Sequence, residues 1–313
     1  MNLSVVIPSF QTPTYILSRC IDSVLNQIQS EDIVEIIVVD SSSKNLDSEL
    51  LKYKDRVKFS FPNRRMFAGE ARNLGASQAT NQWIAFLDSD CIWNADWMKT
   101  AQILTKKYPN WIAFNGGVHF EDLKFSWAFA LHLMEFHEFL SSQNQSLRFL
   151  HSGNLLIRRS FFKQVGGFRS DWLACEDIGF LKTIEDLPNL RSEIRYIPEL
   201  SITHTAHLIK KENILEKARF MGYWRGFYDG DLPKEFKITP KKRFKIFGKF
   251  LGLAFFSAIL SRSIKLKSFY LKEILFNFFK IFQLNLIWAK EFKRGFRDSK
   301  NRALNAPNHP DIS

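Results

Sequence analysis

Cysteine is scarce in this chain. Its three residues, Cys20, Cys91 and Cys175, stand far apart, with no CxxC and no zinc-type spacing. So sparse and odd a set argues against a disulfide framework and for a reducing compartment. Long hydrophobic runs are missing as well. The longest uncharged stretch of the C-terminal region, Phe250–Ser261, counts 12 residues between Lys249 and Arg262. A spanning helix needs roughly 20, so this stretch does not cross a bilayer as a regular helix. Low-complexity tracts, internal repeats and the GK[ST] of a Walker A loop are all absent. A strand pattern starts by Leu3, which leaves no room for a signal peptide and predicts a protein that begins in the cytosol. Acidic residues are scarce in one region only. Between Lys234 and Arg302 stand 18 Lys/Arg against 4 Asp/Glu, a net of +14, whereas the whole chain is +12 and the remainder therefore −2. Basicity belongs to the tail, and two parts with different partners follow from it.

Apolar residues make up 45% of the 313, enough for a substantial core. The first half alternates short apolar runs with helical patterns. Strands are expected at Leu3–Ile7 (stopped by Pro8), Val34–Val39, Val57–Phe61 and Trp83–Leu87. Helices are expected from Thr12-Pro13 to about Gln27, over Leu46–Tyr53, over Gly69–Gln78 and from about Ala95 to Lys107. Strands that are apolar throughout and separated by helices predict an α/β fold, a parallel sheet covered on both faces. The second half is less regular. It predicts a strand at Ile112–Val118, an apolar helix at Phe125–Leu140, and a short strand at Leu155–Ile157. A helix at Ser160–Val165 should be ended by Gly166-Gly167, and another should begin near Glu176. Two short strands, Arg195–Ile197 and Ser201–Thr203, should flank Pro198. Asp229-Gly230-Asp231-Leu232-Pro233 reads as a boundary, dividing a catalytic domain of residues 1–230 from a helical tail of 231–313.

The chemistry-bearing residues cluster where strands end. Leu87-Asp88-Ser89-Asp90-Cys91 places two carboxylates on a turn at a strand's carboxyl end, where open α/β sheets bind ligands. Such a pair suits a hard divalent cation that keeps positions open for phosphate oxygens; Asp and Ser are equally ordinary turn residues. Asp40 ends the second strand and could accept a hydrogen bond from a nucleobase or ribose, or cap a turn. Gly69–Gly75 opens a helix whose N-terminus favours an anion. Arg72 within it could hold a diphosphate or simply pair with a carboxylate. Glu176-Asp177 offers a general base if the loop Phe168–Ala174 covers the site, with Trp172 as an apolar wall, or two acids favoured by the helix dipole. His204 could ligate a metal or touch a phosphate. His119, His132, His137 and His151 include structural histidines.

In this order, Val5-Val6-Ile7-Pro8, Val38-Val39-Asp40-Ser41, Gly69–Gly75, Leu87–Asp90, Gly153–Arg159, Val165–Phe168 and Glu176-Asp177 closely resemble the family-two inverting glycosyltransferases with the GT-A fold. The resemblance spans roughly Leu3 to Thr205. It implies a Rossmann-like, mostly parallel sheet and transfer of a sugar from a nucleotide-sugar donor to a carbohydrate or glycolipid hydroxyl, in polysaccharide or glycolipid assembly. Pro8, Asp40, Arg72, Asp88 and Ser89 would bind the nucleotide sugar. Asp90, Asp88 and His204 would hold Mg²⁺ or Mn²⁺, Asp90 the more directly. Asp177 would be the base, with Glu176 beside it, and Gly167, Phe168 and Trp172 would form the acceptor loop. Thr183, next to Lys182, stands where the family often carries an Arg, and Glu185-Asp186-Leu187-Pro188-Asn189 is atypical. The rivals are an inactive GT-A-like scaffold that binds glycans or membranes, and a sugar nucleotidyltransferase. The latter lacks its basic Gly-rich loop at Ser9–Pro13.

The tail is basic and rich in phenylalanine. Leu271, Ile274, Leu275, Phe278, Ile281, Phe282 and Ala289 fall on one helical face. Lys272, Glu273, Lys280, Gln283 and Lys290 take the other, with Phe276 and Ile287 as exceptions. This pattern describes an amphipathic helix on an anionic membrane surface, with residues 241–297 in contact at the inner face of the cell membrane. Packing on the core or an oligomer interface is the alternative. Nucleic acid is not expected, because Phe-Phe-Lys-Ile-Phe is unlike a stacking surface.

Overall fold

The computed structural model describes residues 1–42, 46–121, 126–136, 150–185, 194–205, 210–231, 240 and 265–301; within 265–301, side chains are described at 277 and from 279 onward. Phe250–Ser261, His137 and Asp186–Asn189 lie outside the described residues. By compactness the chain divides into one unit of Met1–Glu121 with Phe136–His207, and a second of Asp122–Glu135 with Leu208–Ser313.

The first unit is built on one eight-stranded sheet. Its strands are β1 (Asn2–Ser9), β2 (Ile33–Asp40), β3 (Val57–Ser60), β4 (Trp83–Leu87), β5 (Cys91–Trp93), β6 (Ala113–Phe120), β7 (Asn154–Arg158) and β8 (Ile194–His204). They run in the order β3-β2-β1-β4-β7-β6-β8-β5. Pairs β1–β2, β1–β4, β2–β3 and β6–β8 are parallel, whereas β4–β7, β6–β7 and β5–β8 are antiparallel. Strands β1 to β4 are mutually parallel, and β7 and the short β5 enter antiparallel. In β1 to β4 the core residues Val5, Val6, Ile7, Ile37, Val38 and Ile84 are wholly buried.

Around the sheet lie α1 (Thr14–Leu25), a 3₁₀ helix over Ser48–Tyr53, α2 (Ala68–Gln78), α3 (Trp97–Lys107), α5 (Arg159–Gln164) and α6 (Glu176–Glu185). A Cβ at Gly75 would stand 2.3 Å from Val6 Cγ1, so α2 rests on β1 at a distance only glycine permits. Gly166 and Gly167 take φ of +81° and +73° and end α5 as their sequence requires.

Three local expectations are corrected. Pro8 does not stop β1, because the β1–β4 ladder already ends at Val6–Phe86 and the missing N–H leaves no bond unmade on that side. Pro198 does not divide two strands. The chain runs through it as β8, and the irregularity appears as a register shift between Gly116 and Val118 on β6. The helix expected from Thr12-Pro13 begins only at Thr14, with Pro13 at its cap position, and the Thr12 hydroxyl meets Ser89 Oγ at 2.7 Å.

The second unit comprises α4 (Trp127–Phe136), α7 (Lys211–Asp229) and the long α8 (Lys265–Lys300). Helices α7 and α8 approach backbone to backbone. A Cβ on Gly226 would lie 2.0 Å from the Phe292 carbonyl oxygen, and one on Gly295 2.0 Å from that of Tyr223. Tyr223 Oη donates to Asp298 at 3.0 Å, and Lys217 pairs with Glu135 at 3.7 Å. The apolar stripe expected on the tail divides in two. Ile281 and Ala289 are buried, while Phe282 is exposed on the same side of α8 as Gln283 and Lys290. Among the described residues, no helix is long and apolar enough to cross a membrane.

Candidate active site

The carboxyl ends of β2 and β4, the last residue of β8, the second turn of α2 and the first turn of α6 hold Asp40, Asp88, Ser89, Asp90, His204, Arg72, Glu176 and Asp177. Asp88, Ser89 and Asp90 form the turn between β4 and β5. Backbone bonds hold its shape: Cys91 N–H donates to the Asp88 carbonyl at 2.9 Å and Thr205 N–H to that of Asp90 at 2.7 Å.

The two aspartates have different neighbours. Asp88 is joined to the Arg72 guanidinium, which reaches across to Glu176 Oε1 at 2.7 Å. Ser152 Oγ donates to the same Glu176 oxygen at 3.3 Å, and His151 Nε2 stands 4.0 Å from Asp88 Oδ2. Arg72 is buried, with its plane 5.7 Å from the Phe168 ring. Burial alone would raise the Asp88 carboxyl, but Arg72, with His151 and His204, outweighs it and holds it below the ordinary carboxylate value. Burial likewise lowers His151 to about 4, so its imidazole is neutral at physiological pH.

Asp90 faces the other way. Its Oδ2 stands 3.5 Å from His204 Nε2, and Cys91 Sγ lies 3.8 Å from its Oδ1. Cys91 and His204 are paired directly across β5 and β8. One ligand atom from each of Asp90, Cys91 and His204 falls within 4.8 Å of the others. A carboxylate, an imidazole and a thiol so gathered form a candidate site for a divalent cation, and this mixed donor set does not choose between Mn²⁺ and Mg²⁺.

Other expected residues are placed more simply. Asp40 Oδ1 accepts from Ser42 N–H at 2.9 Å and from its hydroxyl at 2.6 Å, a turn closure at the end of β2. Asp177 follows Glu176 in the first turn of α6, and its Oδ1 accepts from Ile178 N–H at 2.8 Å. Cys175, just before the pair, has a left-handed φ of +61°, as Gln11 after β1 has +53°. Such strain collects at functional sites. Trp172 is buried, its ring against Gly179 and under the Arg169 guanidinium 5.6 Å away. Phe168 is equally buried among Phe86, Phe162 and Phe180, and its backbone is held by Asn73 at 2.8 and 2.9 Å. Beside the loop lies a cavity of about 390 Å³, lined by Arg169, Trp172, Lys182 and Thr183 among others.

Sequence reasoning did not single out the turn His151–Asn154 beyond its place in a motif. Buried Asn115 clamps it, donating to the carbonyls of His151 and Asn154 at 3.0 and 2.7 Å and accepting from His151 N–H at 3.0 Å. A Cβ on Gly153 would stand 2.2 Å from Asp88 Oδ2. Nothing in the spacing of Asn115 announced this contact.

A sheet of this order, with an acidic turn after its fourth strand and a histidine closing its eighth, is the GT-A fold of glycosyltransferases. The Glycosyl transferase family 2 model matches residues 4–166, more than half of the chain, and the chain belongs to that family. GlyG of Streptococcus pneumoniae is 27% identical over 131 residues, covering 38% of this chain and 42% of that protein. An uncharacterized glycosyltransferase of Nostoc is 35% identical over 98 residues, 30% of this chain and 29% of that one. The chain thus spans less than half the length of these relatives. Among solved structures, the mannosyltransferase PcManGT from Pyrobaculum calidifontis, in complex with GDP-Man and Mn²⁺, superposes with a TM-score of 0.58 at 13% identity, covering 98% of this chain and 88% of that one. Staphylococcus aureus TarS 1-349 with UDP-GlcNAc gives 0.51 at 15%, covering 100% and 95%.

Proposed function

We propose that this glycosyltransferase uses a nucleotide-diphosphate sugar and transfers its sugar, with inversion, to a hydroxyl of a carbohydrate or glycolipid acceptor in cell-surface polysaccharide or glycolipid assembly. The observation that carries the reading is the pairing of two unlike clusters on one turn: Asp90 with His204, and Asp88 with Arg72 and Glu176. The solved neighbours that bind GDP-Man with Mn²⁺ and UDP-GlcNAc support the donor class.

In this reading Asp40 and Pro8 meet the nucleoside, while Arg72 and Ser89 meet the diphosphate. Asp90 and His204 hold Mn²⁺ or Mg²⁺, with Asp88 assisting from the Arg72 side. When bound, the cation offsets charge that builds on the leaving diphosphate. Asp177 accepts the proton of the acceptor hydroxyl. That oxygen then bonds to the anomeric carbon from the face opposite the diphosphate, and the C–O bond to the diphosphate breaks with its electron pair. Glu176 keeps Arg72 oriented. The cavity beside Gly167–Trp172, with Arg169 and Lys182 on its wall, receives the acceptor. Residues 1–230 carry the transferase and 231–313 meet an anionic membrane surface at the inner face of the cell membrane, where a lipid-linked acceptor would be presented.

The test is hydrolysis and transfer with a panel of nucleotide sugars, with Mn²⁺, with Mg²⁺ and with chelator. Metal-dependent turnover of one donor, with an inverted anomeric product, is the expected result. Donor binding without any turnover would instead identify an inactive scaffold.

A further inference from the structure

The last helix carries two unlike faces. Asn277, Ile281, Leu284, Asn285, Trp288 and Phe292 are buried. On the other side Phe279 is 81% exposed, Phe282 45% and Leu286 49%. Steps of three and four residues place these three on one line. Continued along the helix, the line passes through Lys290, Lys293, Arg297 and Lys300, all exposed. From Phe279 to Lys300 it runs roughly 30 Å at the rise of an α-helix. Its first two turns are apolar and the rest is cationic. Among the helix residues whose side chains are described, the acids stand off it: Glu291 is buried and pairs with Arg294 at 3.0 Å, and Asp298 accepts from Tyr223.

We infer that this line is a docking strip for an anionic lipid surface. Phe279, Phe282 and Leu286 enter the interfacial zone, and Lys290, Lys293, Arg297 and Lys300 lie on lipid phosphates. The proposal deepens the reading of a membrane-presented acceptor and changes its residues, since Ile281 and Ala289 belong to the packed face. One-signed charge next to an apolar block matches a bilayer interface, which offers both phosphate and hydrocarbon. A second copy of this chain fits less well. The three apolar side chains expose on the order of 300 Å², against about 800 Å² per partner in a stable interface. Nucleic acid fits less well too, because the aromatic rings stand apart from the cations rather than among them.

The test is co-sedimentation of the full chain with vesicles of phosphatidylcholine alone and of phosphatidylcholine with phosphatidylglycerol. The wild type should bind the mixed vesicles and be released by salt. Phe279→Ser/Phe282→Ser/Leu286→Ser should lower partitioning roughly tenfold or more. Lys290→Gln/Lys293→Gln/Arg297→Gln should erase the preference for phosphatidylglycerol, at roughly fivefold per charge. Both variants should keep wild-type donor binding in solution, which also shows that they fold. Unchanged partitioning of the serine variant overturns the proposal. So does a change from dimer to monomer without vesicle binding, or retention by duplex DNA that rivals the mixed vesicles. Absence of donor binding in the wild type would count against the transferase reading alone.

Discussion

The sheet-based unit and the helical unit bury polar groups in opposite ways. In the first, Arg72, His151, Ser152, Asn154, His204 and Thr205 gather at one edge, where strands end and backbone groups no longer pair along a ladder. In the second, Arg225, Asp229, Asn277, Asn285 and Glu291 are distributed along α7 and α8, and glycines bring the two backbones together. A concentrated polar edge is a place for chemistry. A distributed one, spread along a packed helix pair, converges on no single point. Changes in the first unit should therefore cost activity, and changes in the second should cost stability.

The largest effect is expected at Asp177. Asp177→Asn should lower turnover by 10²–10⁴-fold, on the order expected for a general base, while donor affinity measured by titration stays near wild type. Retained turnover with weakened donor binding would reassign it. Asp90 and Asp88 sharpen the contrast inside the site. Asp90→Ala should abolish the Mn²⁺ dependence of donor binding in calorimetry. Asp88→Asn should leave the cation bound and instead weaken the diphosphate contact through a loosened Arg72; equal loss of metal affinity in both would erase the distinction. In the helical unit, Gly226→Ala drives a methyl into the Phe292 carbonyl and should destabilise by roughly 1–3 kcal/mol, the range for overpacking. Denaturant unfolding should reveal this with donor affinity intact, and lost donor affinity would end the comparison.

The smallest effect concerns a carboxylate remote from the site. Glu35 accepts from Ser4 Oγ, from the amide and hydroxyl of Thr80 and from Asn81 N–H, at 2.5, 2.5, 2.9 and 3.3 Å. Burial alone would raise its carboxyl, but these bonds outweigh it and hold it below 4.5. A depressed carboxyl stabilises the fold fully above its unfolded value and ceases to do so as pH falls through the folded one. Glu35→Gln should cost about 1 kcal/mol at neutral pH, discounted because the group is partly solvated. The difference from wild type should vanish in acid, and a difference that persists there would refute the ionic origin.

Much of the fold was legible because its signals are local. The runs at Val34–Val39 and Trp83–Leu87 are apolar on both faces, as buried parallel strands must be, and Gly166-Gly167 ends α5 by backbone conformation alone. The antiparallel entry of β7 was not legible, since strand direction depends on a partner distant in the chain. Nor was the continuity of β8 through Pro198, which depends on how β6 yields at Gly117. The places of Asp88, Asp90, Glu176-Asp177 and His204 at strand and helix ends were readable from their order. His151 and Asn115 were not, because a histidine and an asparagine carry no period or spacing to mark them.

By itself, then, the amino-acid order determined the family, the position of the acidic turn and the basicity of the tail, all of which depend on residue type and near neighbours. The tertiary structure alone decided that Asp88 turns to Arg72 while Asp90 turns to His204. It also decided that Ile281 is packed while Phe282 is exposed, one residue and about 100° of helix apart. Both outcomes depend on what approaches from elsewhere in the chain, and long-range approach leaves no mark in local sequence.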